Sequence, residues 1–105
     1  MSTITIDNFN YLKKIIFSIE NKRRRRKLSF IFYRPACVCC KEKAYAVSFE
    51  NDMIRFLTKD SFLTLDHIIP VSLKGKKEAV TNWQVMCLKC NQKKGNRLNF
   101  SALTV

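Results

Sequence analysis

The stretch "WQVMCLKCNQKKG", Trp83 to Gly95, joins a short apolar run, a cysteine pair and a polar segment with helical spacing. We expect a brief strand over Trp83–Met86 and a helix from Leu88 to about Leu98. Cys87 and Cys90 are separated by two residues, a spacing that lets one tight turn present both sulfurs to a metal ion. The stretch therefore predicts a strand and a helix that meet at a metal-binding turn.

A second cysteine pair, Cys37 and Cys40, has the same spacing. Two such pairs predict one structural Zn²⁺ held by four thiolates, with no open position for catalysis. Cys39 is a fifth cysteine and could take the place of Cys37. The segment between the pairs, residues 41–86, is much longer than the roughly 15–20 residues of a plain zinc ribbon. The ion is therefore expected to tie the start of a folded segment to its end.

The composition is strongly basic, with 20 Lys and Arg against 8 Asp and Glu, a formal charge of +12 and a pI near 9.8. This charge favours a polyanionic partner, most often nucleic acid and less often an anionic membrane surface. No apolar run suits a signal peptide or approaches the ~18 residues of a spanning helix. We expect a protein of the cytoplasm or another reducing intracellular compartment, not secreted and not membrane-bound, where clustered cysteines bind metal.

The N-terminal third predicts a basic amphipathic helix from Asn8 to about Arg26, capped by Asp7. This helix runs into "NKRRRRK", Asn21 to Lys27. The run fits a solvated helix end, a phosphate-binding surface or a nuclear-localisation signal. The following "LSFIFYR", Leu28 to Arg34, is rich in β-branched and aromatic residues and is interpreted as a short strand or extended segment.

The central segment predicts two strands, Met53–Thr58 and Phe62–His67, on either side of the turn-forming Lys59-Asp60-Ser61. The segment from Pro70 to Asn82 is expected to be a polar loop. The fold class is thus α+β: an N-terminal helix, a zinc-tethered β-hairpin and a C-terminal helix. We expect one compact unit, in which residues 1–34 form the basic helix and extended segment and residues 35–105 form the zinc-containing domain.

His67 is the only histidine in the chain. A lone histidine is usually a packed core residue or a surface residue, but Asp66 precedes this one, and Asn82 and Asn91 follow it. The combination "LDHIIPVS … TNWQVMCLKCNQKKG" resembles the HNH endonucleases of the ββα-metal class. The resemblance extends from Cys37 to about Arg97, with three separated motifs in order, and implies the ββα-metal fold and nuclease activity for residues 35–105.

The resemblance also implies a role for each of these residues. His67 matches the general base that accepts a proton from the attacking water. Asp66 and Asn91 match the two protein ligands of a single catalytic cation, Mg²⁺ or Mn²⁺. Asn82 matches the residue that holds the loop behind the histidine. This chain has "LKGKKEAV" where many members have a Gly-Gly pair, which leaves the shape of that loop open.

The chemistry of these side chains agrees with the implied roles. Histidine accepts protons near neutral pH. Carboxylate and amide oxygens, as in Asp66 and Asn91, are donors that a hard cation prefers. Only two protein ligands leave coordination positions for water and phosphate. Because adjacent residues of a strand face opposite sides, Asp66 and His67 are expected to lie where their strand ends or twists.

Two basic segments are candidate nucleic-acid surfaces. On the C-terminal helix, Lys89, Lys93 and Arg97 are spaced by four, with Lys94 alongside. Lys74, Lys76 and Lys77 of the loop could add to this row. The N-terminal run supplies Arg23, Arg24, Arg25 and Arg26. Each set could instead be a solvated face. The expected partner is DNA, with RNA not excluded and the protein either a monomer or a homodimer.

The function predicted from the sequence is a metal-dependent HNH endonuclease that hydrolyses phosphodiester bonds in DNA, by nicking or by double-strand cleavage. The main alternative is a non-catalytic, zinc-stabilised nucleic-acid-binding protein that keeps the motif as a remnant. A protein-interaction adaptor is a third possibility, which the net charge disfavours.

Overall fold

The computed structural model describes residues 2–95, which form three α-helices and a five-stranded antiparallel sheet. The strands lie in chain order, β1-β2-β3-β4-β5, and successive strands are hydrogen-bonded. The elements are β1 (Ser2–Thr5), α1 (Phe9–Phe17), α2 (Lys22–Tyr33), β2 (Ala46–Glu50), β3 (Met53–Leu57), β4 (Phe62–His67), β5 (Trp83–Cys87) and α3 (Leu88–Lys94). The predicted α+β class is confirmed.

The C-terminal half follows the sequence prediction closely. Strands β3 and β4 lie within one residue of the predicted hairpin, and β4 ends at His67. Strand β5 pairs with β4 in a register that runs from Leu63 opposite Cys87 to His67 opposite Trp83. Helix α3 begins at Leu88 directly after β5. The part of the predicted helix beyond Gly95 lies outside the described residues.

The N-terminal prediction of one long helix is wrong, because the segment forms two helices. Helix α1 ends at Phe17 and α2 begins at Lys22. Asn21 starts the second helix, since its side chain accepts a hydrogen bond from the backbone N–H of Arg24 at 3.0 Å. Asp7 is not the cap of α1: that position is Asn8, which makes no capping hydrogen bond with its side chain.

The segment Leu28–Arg34 is also predicted wrongly. Residues 28–33 are the C-terminal half of α2, and Arg34 is its C-cap. Leu28, Ile31 and Phe32 have the i, i+3, i+4 spacing of one helix face, and Ile31 and Phe32 are buried. This burial outweighs the strand preference of the β-branched and aromatic side chains. Strands β1 and β2 were not predicted.

One hydrophobic cluster joins the helices to the sheet. It contains Leu12 and Ile16 of α1, Ile31 and Phe32 of α2, and sheet residues that include Val47, Phe56, Leu63 and Val85. Side chains alternate along β4, so Leu63 and Leu65 face this cluster while Thr64 and Asp66 face α3. Among the described helices, none is long and apolar enough to cross a membrane.

Candidate active site and zinc centre

The four cysteines of the two pairs converge. The Sγ atoms of Cys37, Cys40, Cys87 and Cys90 all lie within 4.8 Å of one another, and those of Cys40 and Cys87 are 3.8 Å apart. A tetrahedral zinc site with Zn–S bonds of about 2.3 Å has sulfurs about 3.8 Å apart. The four thiols are therefore positioned to form a zinc-binding site. The cluster includes Cys37 and not Cys39, as the spacing of the first cysteine pair predicted.

The metal-free thiols differ in acidity. Burial raises the pKa of the Cys37 thiol, but hydrogen bonds from backbone N–H groups outweigh this effect and lower its pKa to about 7. Two of these donors are the N–H groups of Cys39 and Cys40, at 3.3 and 3.5 Å from Sγ. Burial raises the pKa of Cys40 and of Cys90. Four ionised sulfurs at this spacing repel one another, and a divalent cation removes the repulsion.

The zinc turn also starts helix α3. The Cys87 side chain is the N-cap of this helix, and its Sγ accepts from the backbone N–H of Cys90 at 3.5 Å. Asn91 lies four residues after Cys87, and Lys94 lies four residues after Cys90, so both side chains belong to the helix face that carries the two cysteines. The cysteine cluster thus fixes the position of the helix that carries both.

Asn82 closes the loop between β4 and β5. The Ile69 backbone N–H donates to Asn82 Oδ1 at 2.8 Å, and Asn82 Nδ2 donates to the carbonyls of Ile69 at 3.0 Å and Lys76 at 3.1 Å. The Asn82 carbonyl accepts from the Ile68 N–H at 2.8 Å. One buried amide therefore holds both the beginning and the end of this loop.

Gly75 allows the loop to fold back on itself. A Cβ at this position would lie 1.8 Å from the carbonyl oxygen of Ile69 and 2.9 Å from that of Pro70. The Gly75 N–H donates to the Pro70 carbonyl at 3.0 Å. The backbone approach at this residue leaves no room for a side chain. The single glycine at position 75 therefore allows the loop backbone to pass close to Ile69 and Pro70.

The loop positions the His67 ring through one carbonyl. His67 Nε2 lies 2.9 Å from the carbonyl oxygen of Lys77, and the Trp83 indole N–H donates to the same oxygen at 2.8 Å. A carbonyl oxygen only accepts hydrogen bonds, so Nε2 carries a proton and Nδ1 is the free acceptor of the neutral ring. The half-buried imidazole is thus held in the tautomer that can accept a proton at Nδ1.

The Asp66 carboxylate is buried and paired. Its Oδ2 atom accepts from the Lys94 ammonium at 2.7 Å and from Gln84 Nε2 at 2.8 Å. The Lys94 ammonium also donates to the His67 carbonyl at 2.7 Å. With an exposed fraction of 2%, Lys94 is not available to a phosphate backbone. Its predicted role in nucleic-acid binding is therefore wrong, because the lysine points into the protein and joins α3 to the end of β4.

Asn91 of α3 contacts the face of β4 that also carries Asp66. Its Nδ2 donates to Thr64 Oγ1 at 2.8 Å, and Thr64 Oγ1 donates to the Met86 carbonyl at 2.7 Å. Thr64 and Asp66 are two residues apart on one strand face, about 7 Å along the chain. Asp66 and Asn91 therefore lie on the same side of β4, where their side chains contact different partners. The His67 side chain points to the opposite face of β4, where its ring contacts the Lys77 carbonyl of the loop.

The predicted arginine surface is partly engaged within the protein. Arg23 and Arg26 form ion pairs with Glu78 of the loop, at 3.5 and 3.9 Å. Arg24 donates to the Asp52 carbonyl, and Arg25 donates to the Ile19 carbonyl at 2.9 Å. These contacts connect α2 to the loop, to the β2–β3 turn and to the end of α1, so the run is not simply a solvated helix end.

On the other basic segment, Lys89 and Lys93 are exposed on α3, and the three loop lysines 74, 76 and 77 are exposed as well. Arg97 lies outside the described residues.

Lys94 was grouped with these exposed cations because it lies beside them in the sequence. A second spacing pattern predicts instead that Lys94 is buried. Positions 87, 90, 91 and 94 have the i, i+3, i+4, i+7 spacing of the buried face, which the two zinc ligands already mark. Thr64 and Gln84, which orient Asn91 and Asp66, have no comparable signal in the sequence.

The chain thus has a ββα arrangement with a potential zinc site. A strand ends in an Asp-His pair, a loop is closed by an asparagine, and a second strand leads into a helix that begins at a cysteine pair. The family model for HNH endonucleases matches residues 37–97, more than half of the chain. The chain belongs to the HNH endonuclease family, as its motifs predicted. No curated protein and no solved structure shows significant similarity to the chain.

Proposed function

We propose that the protein is a metal-dependent endonuclease that hydrolyses phosphodiester bonds in DNA, with His67 as the general base. The observation that carries this proposal is the support of the imidazole: its Nε2 proton is bound by the Lys77 carbonyl, in a loop that Asn82 closes. A packed core histidine has no need of a neighbouring loop fixed in this way. The free Nδ1 then accepts the proton of the attacking water.

The donor set of Asp66 and Asn91 fits a hard divalent cation such as Mg²⁺ or Mn²⁺. Both donors to the Asp66 carboxylate share Oδ2, so Oδ1 is the oxygen that a cation would use. Asn91 is oriented through its Nδ2 atom, which leaves the amide oxygen as its ligand. When bound, the ion would polarise the phosphate and stabilise the leaving oxygen.

The Lys94 ammonium limits how well the free protein can hold this cation. The Lys94 Nζ atom lies 2.7 Å from Asp66 Oδ2, so its positive charge neutralises the carboxylate of the proposed site. The negative charge that favours a divalent ion must then come largely from the substrate phosphate. We therefore expect Mg²⁺ to bind weakly to the free protein and more tightly to its complex with DNA.

The partner expected from the family and the charge is DNA. If the exposed lysines of α3 and the loop and the accessible arginines neutralise about six phosphates, affinity should fall roughly 10³-fold between 50 and 200 mM salt. Within residues 2–95, no base-reading element accompanies these cations, so binding is proposed to be independent of sequence. One chain offers one such site, and cleavage of both strands would need two copies or two successive events.

The proposal is tested with the zinc-loaded protein and supercoiled plasmid, with and without added Mg²⁺ or Mn²⁺. Conversion of the plasmid to nicked or linear forms only when the cation is added supports the nuclease. A mobility shift without cleavage, at every cation concentration tried, would instead support a binding protein.

Two observations favour that second candidate, a non-catalytic zinc-stabilised nucleic-acid-binding protein. Lys94 already satisfies the buried Asp66 carboxylate, and Asp66 and His67 leave β4 on opposite faces. A site of this kind could serve to hold α3 against the sheet. The loop that holds His67 is then unexplained, which is why the nuclease is the function we propose.

A further inference from the structure

A groove of about 340 Å³ lies between α2 and the start of β5. We call it the aromatic groove and define it by four rings, Phe17, Phe30, Tyr33 and Trp83, together with Arg25 and Arg34 at its edges. Its volume is at the lower end of the roughly 300–1,000 Å³ of ligand pockets. None of the proposed catalytic residues lines it.

Two rings of the groove, Phe17 and Tyr33, present apolar surface to solvent. Tyr33 is 50% exposed and Phe17 is 44% exposed, although both carry large apolar rings. Their centroids are 6.3 Å apart, so they form one continuous patch. Deeper in the groove, Phe30 packs edge-on against Trp83 with centroids 5.6 Å apart. Exposed rings of this kind are platforms on which a nucleobase can stack.

Two guanidinium groups that line the groove carry charge that no carboxylate of the described residues neutralises, although Arg25 also donates to the Ile19 carbonyl at 2.9 Å. The Arg34 guanidinium lies over the Phe30 ring at 4.3 Å from its centroid. Neither Arg34 nor Arg25 takes part in an ion pair with a carboxylate among the described residues, whereas Arg26 is paired with Glu78. Apolar rings flanked by uncompensated guanidinium groups match the two parts of a nucleotide, a flat base and an anionic phosphate.

The groove adjoins the proposed active site. Trp83 is the cross-strand neighbour of His67, and both side chains contact the carbonyl oxygen of Lys77. A nucleotide in the groove would therefore lie close to the bond that His67 helps to cleave. Paired bases in a duplex are stacked on each other and cannot present a face to Tyr33, whereas an unpaired base can.

We propose that the aromatic groove binds one unpaired nucleotide of the DNA strand, with the base on Tyr33 and the flanking phosphates at Arg25 and Arg34. The inference rests on the proposed nuclease function and narrows its substrate to DNA with unpaired nucleotides beside the cleavage site, such as single strands, bulges and displaced strands.

The test measures binding in the His67→Ala background, with zinc retained and no Mg²⁺ added, so that cleavage does not interfere. The probes are a single-stranded oligonucleotide and a blunt duplex of the same length. Trp83 is the only tryptophan in the sequence; it lines the groove and is 5% exposed, so we use its fluorescence to follow occupation of the groove. We expect the single strand to quench this fluorescence and the duplex to leave it nearly unchanged.

Tyr33→Leu keeps an apolar side chain but removes the aromatic face. It should weaken single-strand binding roughly 5- to 150-fold, the range for loss of one base–aromatic stack, with little effect on the duplex. Tyr33→Phe should restore single-strand binding. Tyr45→Ala is the matched control, because this tyrosine is 57% exposed but lies outside the groove.

Equal weakening of both probes by Tyr33→Leu, or no weakening of either, would overturn the inference. A cleavage assay with the unaltered protein, Mg²⁺ and a circular single-stranded DNA reports separately on the nuclease. Absence of cleavage with a retained single-strand binding preference would reject the nuclease and leave the groove intact, whereas cleavage together with binding that does not depend on Tyr33 would reject the groove alone.

Discussion

Asn82 and Ile69 exchange two hydrogen bonds, one from the Ile69 N–H to the amide oxygen and one from the amide nitrogen to the Ile69 carbonyl, at 2.8 and 3.0 Å. A third bond from the same amide nitrogen reaches the Lys76 carbonyl, one residue before the carbonyl that orients His67. Because the amide is buried, these bonds are shielded from water. The position of the proposed general base therefore depends on an asparagine that does not contact it.

Asn82→Ala should remove all three bonds and leave buried backbone groups unpaired. At about 1 kcal/mol for each bond, we expect a loss of roughly 3 kcal/mol in the free energy of unfolding, together with a lower cleavage rate. Urea unfolding followed by circular dichroism measures the first effect. Asn10→Ala, on the exposed surface of α1, is the control and should change stability by less than about 0.5 kcal/mol. Equal stability of both variants would contradict the buried amide bonds.

Gly75→Ala should displace the loop, because the new methyl group would overlap the Ile69 carbonyl. Both clashing atoms are backbone, so no side-chain movement can relieve the overlap. We expect cleavage to decrease while the zinc content stays unchanged, since the cysteines lie elsewhere. Ser72→Ala, in the same loop, is the control because its side chain is exposed and has no role in the proposed site. Unaltered cleavage by the glycine variant would show that the loop tolerates rearrangement.

The C-terminal half of the fold could be predicted from the sequence because its signals are local. The two cysteine pairs, the Asp-His pair at a strand end and the following helix each occupy a short stretch. In the N-terminal half, the residues around Ile31 have a composition typical of strands but a spacing typical of a buried helix face, and tertiary packing decided between them. The N-cap at Asn21 was a usable signal that two helices are present.

The candidate site was only partly predictable for a similar reason. Asp66, His67, Asn82 and Asn91 were proposed from their resemblance to the family motifs, and their catalytic roles stay predictions; in the structure, Asp66 and Asn91 lie on the same side of β4. The supporting residues were not found, because Gln84 and Thr64 act through contacts across the sheet that a single sequence does not reveal. Lys94 was grouped with the exposed cations because its charge was considered without its helix face.

Lys94→Met should leave the buried Asp66 carboxylate without a counter-charge. Breaking a buried ion pair on one side costs about 3–5 kcal/mol, so we expect the midpoint of urea unfolding to fall markedly. Adding Asp66→Asn to this variant should recover part of the loss. Lys89→Met, an exposed lysine of the same helix, is the control and should leave the midpoint nearly unchanged. Equal effects of the two single variants would contradict the buried pair.

Zinc binding should release protons and weaken as the pH falls. The pKa values of Cys40 and Cys90 are raised by burial, so both thiols carry protons at neutral pH and zinc must displace at least these two. Titration calorimetry with Zn²⁺ in buffers of different ionisation enthalpy counts the protons. The zinc-bound fold is thus favoured at high pH and lost on acidification. At fixed pH a chelator should unfold the protein, and unchanged circular dichroism without zinc would contradict a structural role for the ion.

The most direct test of the account is the single-turnover rate of DNA cleavage by His67→Ala, compared with the unaltered protein at saturating Mg²⁺. The account predicts a rate about 10²–10⁴-fold lower, with DNA affinity, zinc content and unfolding midpoint nearly unchanged, because the ring is half-buried and acts as the proton acceptor. A His67→Ala variant that cleaves DNA as fast as the unaltered protein would contradict the proposed active site.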